Sequence, residues 1–331
     1  MKAIVYHAPG KLDISGLQVP TPVPGTVLLK TVSCGICHTD IEVLHGRYGS
    51  SAFPLVPGHE YSGIVEQIGE SVSSVSVGDR VVVDPNMSCG HCRACLRGLR
   101  NLCEDLQAYG VTTNGGFAEY SVVSATNVHP IGDMPFNLAA LAEPLACVLN
   151  GVGQIETAGA ANALVFGAGP IGLLLALALR DTGIPDVAVV DINESRLPFV
   201  ETLGLTPILS SSGELSNLKQ SVDIVADATG VTSVVEGLLD YAANGGSVLL
   251  FGVCPPESTA RFSPFDIFRR QIRIAGSHSL NHNIPEALAV LERSGKTMGK
   301  LISHELALAD IGPFLNGKGS AGSMKVQYKA G

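Results

Sequence analysis

The sequence predicts an α/β protein of two domains, one rich in β-structure and one built on a doubly wound parallel sheet. Three observations carry this expectation. A length of 331 residues suggests two domains rather than one. Residues 1–140 hold short alternating runs cut by Pro, Gly, Ser and Asp, with almost no helical periodicity. From Ala163 to Ile274 short apolar runs alternate with helical ones, the pattern of parallel strands joined by crossovers.

In the first part, Thr26–Thr31 and Gly63–Ile68 read as strands, and Pro20, Pro22 and Pro24 break the chain between the first strands. Val77–Val83 reads as a turn feeding a strand. Helical turns fit at Thr39–Leu44 and Ala94–Gly98. The character changes after Glu143. Strands are expected at Ala163–Phe166, Val187–Val190, Thr206–Leu209, Val222–Ala226, Ser247–Gly252 and Ile272–Ala275. Helices fit between them, including Ile171–Arg180, Glu194–Leu203 and Ser233–Ala243. After Ser277 come a helix, Pro285–Arg293, and short strands. That tail is too small to fold alone and is expected to return to the first domain.

Composition narrows the function classes. The chain is 46% hydrophobic and 15% charged, against a usual charged share of about 25%, which favours a well-buried core. A net charge of -9 argues against nucleic acid or an anionic membrane as partner. Met1–Tyr6 reads directly as a strand, with no charged leader, and no apolar run reaches the ~18 residues of a membrane span. Eight cysteines, free or metal-bound, point to a reducing cytoplasm.

Four of those cysteines come within fifteen positions: Cys89, Cys92, Cys95 and Cys103. The spacing lets short turns aim four sulfurs at one point, as a closed tetrahedral Zn(II) site requires. The competing readings are four unrelated buried thiols or two disulfides. A closed site has no open position, so this structural zinc would staple a lobe and leave the chemistry elsewhere.

Gly167-Ala-Gly169-Pro170-Ile171-Gly172 follows an expected strand and opens an expected helix. In that context the glycines allow a tight turn, backbone approach to a pyrophosphate at the helix N-terminus, and close helix–strand packing. Asp191 ends the next strand, where a carboxylate binds ribose hydroxyls and repels a 2′-phosphate, favouring NAD over NADP. The alternative for Asp191 is a solvated helix cap. Arg196, five residues on, could flank the adenine ribose and is a mild counter-signal.

Three short segments offer further metal ligands: Cys37 with Thr39 and Asp40, His59 with Glu60, and Glu143 just before Pro144. None is decisive alone, and the sequence does not show that they converge.

Taken together, G-I-C-H-T-D at 35–40, G-H-E at 58–60, the Cys89–Cys103 lobe, G-G-F-A-E-Y at 115–120, E-P-L-A at 143–146 and G-A-G-P-I-G at 167–172 resemble the zinc-dependent medium-chain dehydrogenases. The closest likeness is to their polyol branch of sorbitol, arabinitol and threonine dehydrogenases. The resemblance spans the whole chain. It implies a GroES-like catalytic domain at 1–147 and 280–331, and a Rossmann domain at 148–279. It also implies an NAD-dependent enzyme acting on a small-molecule alcohol, and a homodimer or homotetramer.

Carried over residue by residue, Cys37, His59 and Glu143 resemble the catalytic zinc ligands. Glu60 matches a carboxylate beside the metal, bound directly or through water. Thr39 matches the hydroxyl that takes the substrate proton. Asp40 matches the carboxylate that orients the ligand histidine. Tyr48 and Phe117 match walls of the substrate pocket, with core packing as the alternative. Cys34 resembles half of a redox pair with Cys37 but is a decoy on this pattern. Two departures stand out. Glu42 occupies a position where many relatives carry a relay histidine, leaving Glu42 or His45 as proton routes. The stretch Gly276–His282 has no basic residue apart from histidines, which puts sorbitol itself in doubt.

The implied substrate is a secondary alcohol, a polyol or vicinal diol, with a threonine-type amino alcohol or a simple alcohol as the alternative. A zinc-free reductase on the same fold would lack the four-cysteine lobe and the ligand set. A non-catalytic relative would have lost a ligand or a glycine, and none is lost here.

Overall fold

A computed structural model describes residues 1–48, 52–319 and 322–331. The chain divides into two compact units, Met1–Ala146 with Leu280–Gly331, and Cys147–Ser279.

The first unit is built on a seven-stranded sheet whose central member is the ten-residue strand Thr26–Gly35. Its apolar positions, Val27, Leu29 and Cys34 among them, are buried in one core with Tyr6, Tyr61, Phe117 and Val123. Along one side runs Glu60–Ile68, with Gly35 opposite Glu60. Along the other side lie Tyr120–Ser124 and, further along, Lys325–Lys329, with Gly35 opposite Gln327. The tail therefore does return to the first unit, as a strand laid on its central one. That strand is held by side chains as well as backbone. Ser33 Oγ donates to Gln327 Oε1 at 2.9 Å, and Gln327 Nε2 donates to the Asn137 carbonyl at 2.9 Å. Both helical turns expected here exist, as His38–Leu44 and Arg93–Leu96.

The second unit carries six parallel strands: Asn162–Phe166, Asp186–Asp191, Thr206–Leu209, Val222–Asp227, Ala242–Leu250 and Arg273–Gly276. Counted in chain order, their spatial order is 3-2-1-4-5-6, the doubly wound dinucleotide-binding arrangement. The helix Pro170–Asp181 leaves the first strand and buries Leu173 through Leu179 without interruption. Such a run is apolar on every side because neighbouring elements cover every side.

Two expected helices are shorter than their sequence pattern. Glu194–Leu203 divides into a 3₁₀ turn, Glu194–Arg196, and a helix, Leu197–Thr202. Pro198 fits a helix start but lacks the N–H that a helix interior needs. Ser233–Ala243 stops early: the helix is Thr232–Gly237, followed by the 3₁₀ turn Leu238–Asp240. Ala242 already pairs with Val222 as the start of the fifth strand, and pairing resumes at Ser247 opposite Ile224. The residues between bulge out through Gly245, whose φ of +78° suits glycine.

Candidate metal centres and cofactor site

Cys37 stands immediately before the helix His38–Leu44, and its N–H donates to Asp40 Oδ2 at 2.8 Å. Asp40 is fully buried, and its Oδ1 accepts from the Gly58 N–H at 3.2 Å. The same oxygen lies 3.4 Å from His59 Nδ1. Asp40 thus ties the turn carrying Cys37 to the turn carrying His59. It faces one ring nitrogen and leaves Nε2 for a metal. Gly58 makes the second turn possible. Its φ is +95°, and a Cβ there would press on Cys34 Sγ and the Phe117 ring.

Donor atoms of Cys37, His59 and Glu60 lie within 4.8 Å of one another. Burial opposes charge on His59, but the Asp40 carboxylate and the Cys37 sulfur outweigh it and hold the imidazole pKa well above its ordinary value. The pocket gathers the Cys37 sulfur and the Asp40 and Glu60 carboxylates around one imidazole, and Zn(II) would supply positive charge to balance them. The donor set also suits zinc, which takes thiolate, imidazole and carboxylate together.

The same need for positive charge explains a residue that sequence reading missed. Lys325 is 4% exposed, and its Nζ lies 2.6 Å from each oxygen of Glu60, itself 1% exposed. It also donates to the Ile36 carbonyl at 3.1 Å. Burial opposes the ammonium, yet Glu60, Cys37 and Glu143 raise its pKa. Gly35 leaves room for this carboxylate, since a Cβ there would collide with Glu60 Oε2. A lysine in an alternating strand reads as solvent-facing, so the sequence carried no signal for it.

Glu143 is buried in the first turn of the helix Ala142–Val152. It acts electrostatically on Lys325 but stands outside the mutual 4.8 Å group. Thr39 is half-buried in the first turn of its helix, and Tyr48 is 39% exposed. Phe117, expected as a pocket wall, is instead completely buried in the core and packs behind Gly58. Burial and the charges of Asp40 and Glu60 push the Cys34 thiol well up, and Cys34 stands outside the group formed by Cys37, His59 and Glu60. Glu42 is held by Arg47, whose Nη2 and Nε donate to its two oxygens at 2.6 and 3.0 Å. That pairing lowers the Glu42 pKa and makes it a poor proton carrier near neutrality. His45 Nδ1 faces the Ile41 carbonyl at 2.8 Å.

The four sulfurs of Cys89, Cys92, Cys95 and Cys103 also gather within 4.8 Å, and all eight cysteines are free of disulfides. Two sulfur pairs, Cys89–Cys95 and Cys92–Cys103, stand 4.0 Å apart. The edge of a tetrahedron with Zn–S bonds of ~2.3 Å is about 3.8 Å. Backbone N–H groups already point at sulfur, from Cys89 to Cys103 Sγ at 3.2 Å and from Cys92 to Cys89 Sγ at 3.3 Å. Similar donation from Cys95 and Glu104 lowers the Cys92 pKa, which favours the thiolate a metal needs.

In the second unit, Gly167 has a φ of +106°, and a Cβ on Gly172 would collide with the Gly167 carbonyl. Gly169 caps the helix, with Pro170 in its first turn and Ile171 next. Asp191, expected at the ribose, has both carboxylate oxygens engaged by backbone. Its Oδ2 accepts from the Ala168 N–H at 2.7 Å and its Oδ1 from the Asn193 N–H at 2.8 Å, so it fastens the glycine loop to its strand. Arg196 Nη1 lies 3.7 Å from Asp191 Oδ2 and borders Gly169.

Comparison with known proteins identifies the family. Residues 23–133 match the model of the alcohol dehydrogenase GroES-like domain, and residues 170–293 match that of the zinc-binding dehydrogenases. D-altritol 5-dehydrogenase from Agrobacterium fabrum is 52% identical over 335 residues, covering 100% of both chains. D-arabinitol dehydrogenase 1 from Uromyces fabae is 33% identical over 339 residues, covering 99% of this chain and 97% of the relative. A crystal structure described as a zinc-binding dehydrogenase from Sinorhizobium meliloti 1021, bound to NADP, superposes with a TM-score of 0.94 at 30% identity, covering 99% of each chain.

Lys325→Met should leave Glu60 as an unpaired buried charge and cost about 3–5 kcal/mol in chemical denaturation of the metal-free protein. Lys325→Arg should recover part of that loss. A Lys325→Met protein as stable as its parent would show that something else holds Glu60.

Proposed function

The chain belongs to the zinc-dependent medium-chain dehydrogenases, in their polyol branch, and on that premise we propose that it oxidises a polyol or other vicinal-hydroxyl alcohol at a secondary carbon, with NAD as acceptor. The observation that carries this reading is a buried, carboxylate-rich donor set. Glu60 sits beside Cys37 and His59, with Glu143 buried in the same unit. Carboxylates accept hydrogen bonds from a second substrate hydroxyl far better than sulfur does. A site built around such a hydroxyl discriminates against analogues that lack it, because its own polar groups are left unpaired. The 52% identity to a D-altritol dehydrogenase points the same way.

When bound, zinc acidifies an alcohol hydroxyl and the nicotinamide accepts a hydride. In this proposal Cys37, His59 and Glu143 hold the metal, and Asp40 fixes the His59 ring. Lys325 neutralises Glu60, so that Glu60 stays beside the metal without making the site permanently anionic. Thr39 takes the substrate proton. Arg47 keeps Glu42 ionised, which turns proton exit away from Glu42. Cys89, Cys92, Cys95 and Cys103 hold the second, structural zinc.

Two further parts of the proposal concern the molecule as a whole. The sixth strand, Arg273–Gly276, ends its sheet, with Ile274 exposed on it and Phe265 and Phe268 exposed on the nearby helix Pro264–Arg270. An open edge beside apolar side chains supports a homodimer or homotetramer. Eight free thiols support a reducing cytoplasm, which cell fractionation would check.

Elemental analysis should find two zinc ions per chain. Cys37→Ser should lose one zinc and nearly all turnover, while Cys34→Ser keeps both. The reverse pattern would overturn the ligand assignment. Asp191→Ser should narrow the preference for NAD over NADP, and equal use of both by the parent enzyme would refute that preference. Steady-state kinetics with 1-butanol, 2,3-butanediol, pentitols and threonine test the substrate class. If kcat/KM for 1-butanol exceeds that for every polyol and diol, the polyol reading is wrong. Light scattering should give a dimer or tetramer mass, and a monomer at micromolar concentration would rule that out.

A further inference from the structure

The four-cysteine lobe is held from outside by a segment far away in sequence. Asn281 Oδ1 accepts from the N–H groups of Arg100 and Asn101 at 2.9 and 3.3 Å, and its Nδ2 donates to the Gly98 carbonyl at 2.9 Å. Those groups belong to the 3₁₀ turn Arg100–Leu102 and its approach, and that turn delivers Cys103, whose N–H donates to Arg100 O at 3.1 Å. The next residue grips the other end. His282 Nε2 lies 3.2 Å from the hydroxyl of Ser88, the residue before Cys89. Its Nδ1 lies 2.8 Å from Oδ2 of buried Asp84, whose Oδ1 accepts from the Asn86 N–H at 2.9 Å.

The gripping segment is itself fixed. Asn86 Nδ2 donates to the Leu280 carbonyl, Asn283 Oδ1 accepts from the Asn281 N–H, and Asn283 Nδ2 donates to the Ala146 carbonyl, each at 2.9 Å. His282 has a φ of +56°. Few residues other than glycine take that conformation, and the bonds on either side of His282 fix it there.

We infer that Asn281 and His282 are positioning residues for the lobe metal, clamping both ends of the Cys89–Cys103 loop so that its thiols are in ligating geometry before the metal arrives. The inference rests on reading this lobe as a zinc site. Its physical basis is the closure cost of the loop. The clamp brings Ser88–Cys89 and Arg100–Cys103 together with bonds that owe nothing to zinc, so metal binding need not order the loop itself. In the middle of the lobe Leu96 is 76% exposed.

The test uses the zinc-loaded protein and a chromogenic chelator in excess. In Asn281→Ala and His282→Asn, one zinc per chain should leave about tenfold faster than in the parent, the scale expected when groups supporting metal ligands are removed. The second zinc and the thermal midpoint of the loaded protein should stay at parent values. Asparagine is chosen at 282 because it tolerates positive φ. Asn281→Asp keeps the acceptor for Arg100 and Asn101, and its release rate should fall between those of parent and Asn281→Ala. Parent-like release from both variants would overturn the inference. So would acceleration of both zincs together with a lowered thermal midpoint, which would mark general loosening. If the parent yields one zinc per chain and Cys89→Ser does not change that number, the zinc reading of the lobe fails, and the clamp with it.

Discussion

The candidate metal site depends on the register of one strand. Thr26–Gly35 pairs on both sides, and at its end Gly35 stands opposite Glu60 on one side and Gln327 on the other. That register sets the Glu60 carboxylate beside the Lys325 ammonium and delivers Cys37 two residues beyond the strand end. A slip of one residue would turn Glu60 and Lys325 to opposite faces and part them. The buried ion pair makes such a slip costly, because each charge without the other would face a large desolvation penalty.

Much of the architecture was legible because it follows from local rules. Strands and helices alternating after residue 163 imply a doubly wound sheet, and the observed 3-2-1-4-5-6 order is its dinucleotide-binding form. The four cysteines are legible because metal ligation constrains spacing along the chain. Helix ends were misread where a local feature overrode periodicity, as at Pro198 and the Gly245 bulge.

What stayed hidden was every contact whose partners lie far apart in sequence. Nothing around Lys325 distinguishes it from a solvated lysine, and Asn281 and His282 read as loop residues. Phe117 misled for a related reason. Its motif marks a position near the site, but the ring is committed to packing behind the Gly58 turn. Asp191 shows the opposite case. Its place at a strand end advertised a ribose contact, while its bonds to Ala168 and Asn193 give it a second task in shaping the loop. A change at Asp191 therefore alters the glycine loop itself.

The discontinuity of the first unit sets an order of assembly during synthesis. Glu60 emerges 265 residues before Lys325. All of Cys147–Ser279 is made in between. Domains fold as units as the chain is made, so the dinucleotide-binding unit can be complete while the first sheet still lacks its last strand. Until then Glu60 has no ammonium to pair with, and burying it would cost more than leaving it in water. The Glu60–Lys325 pair can therefore form only after the whole of Cys147–Ser279 has been made.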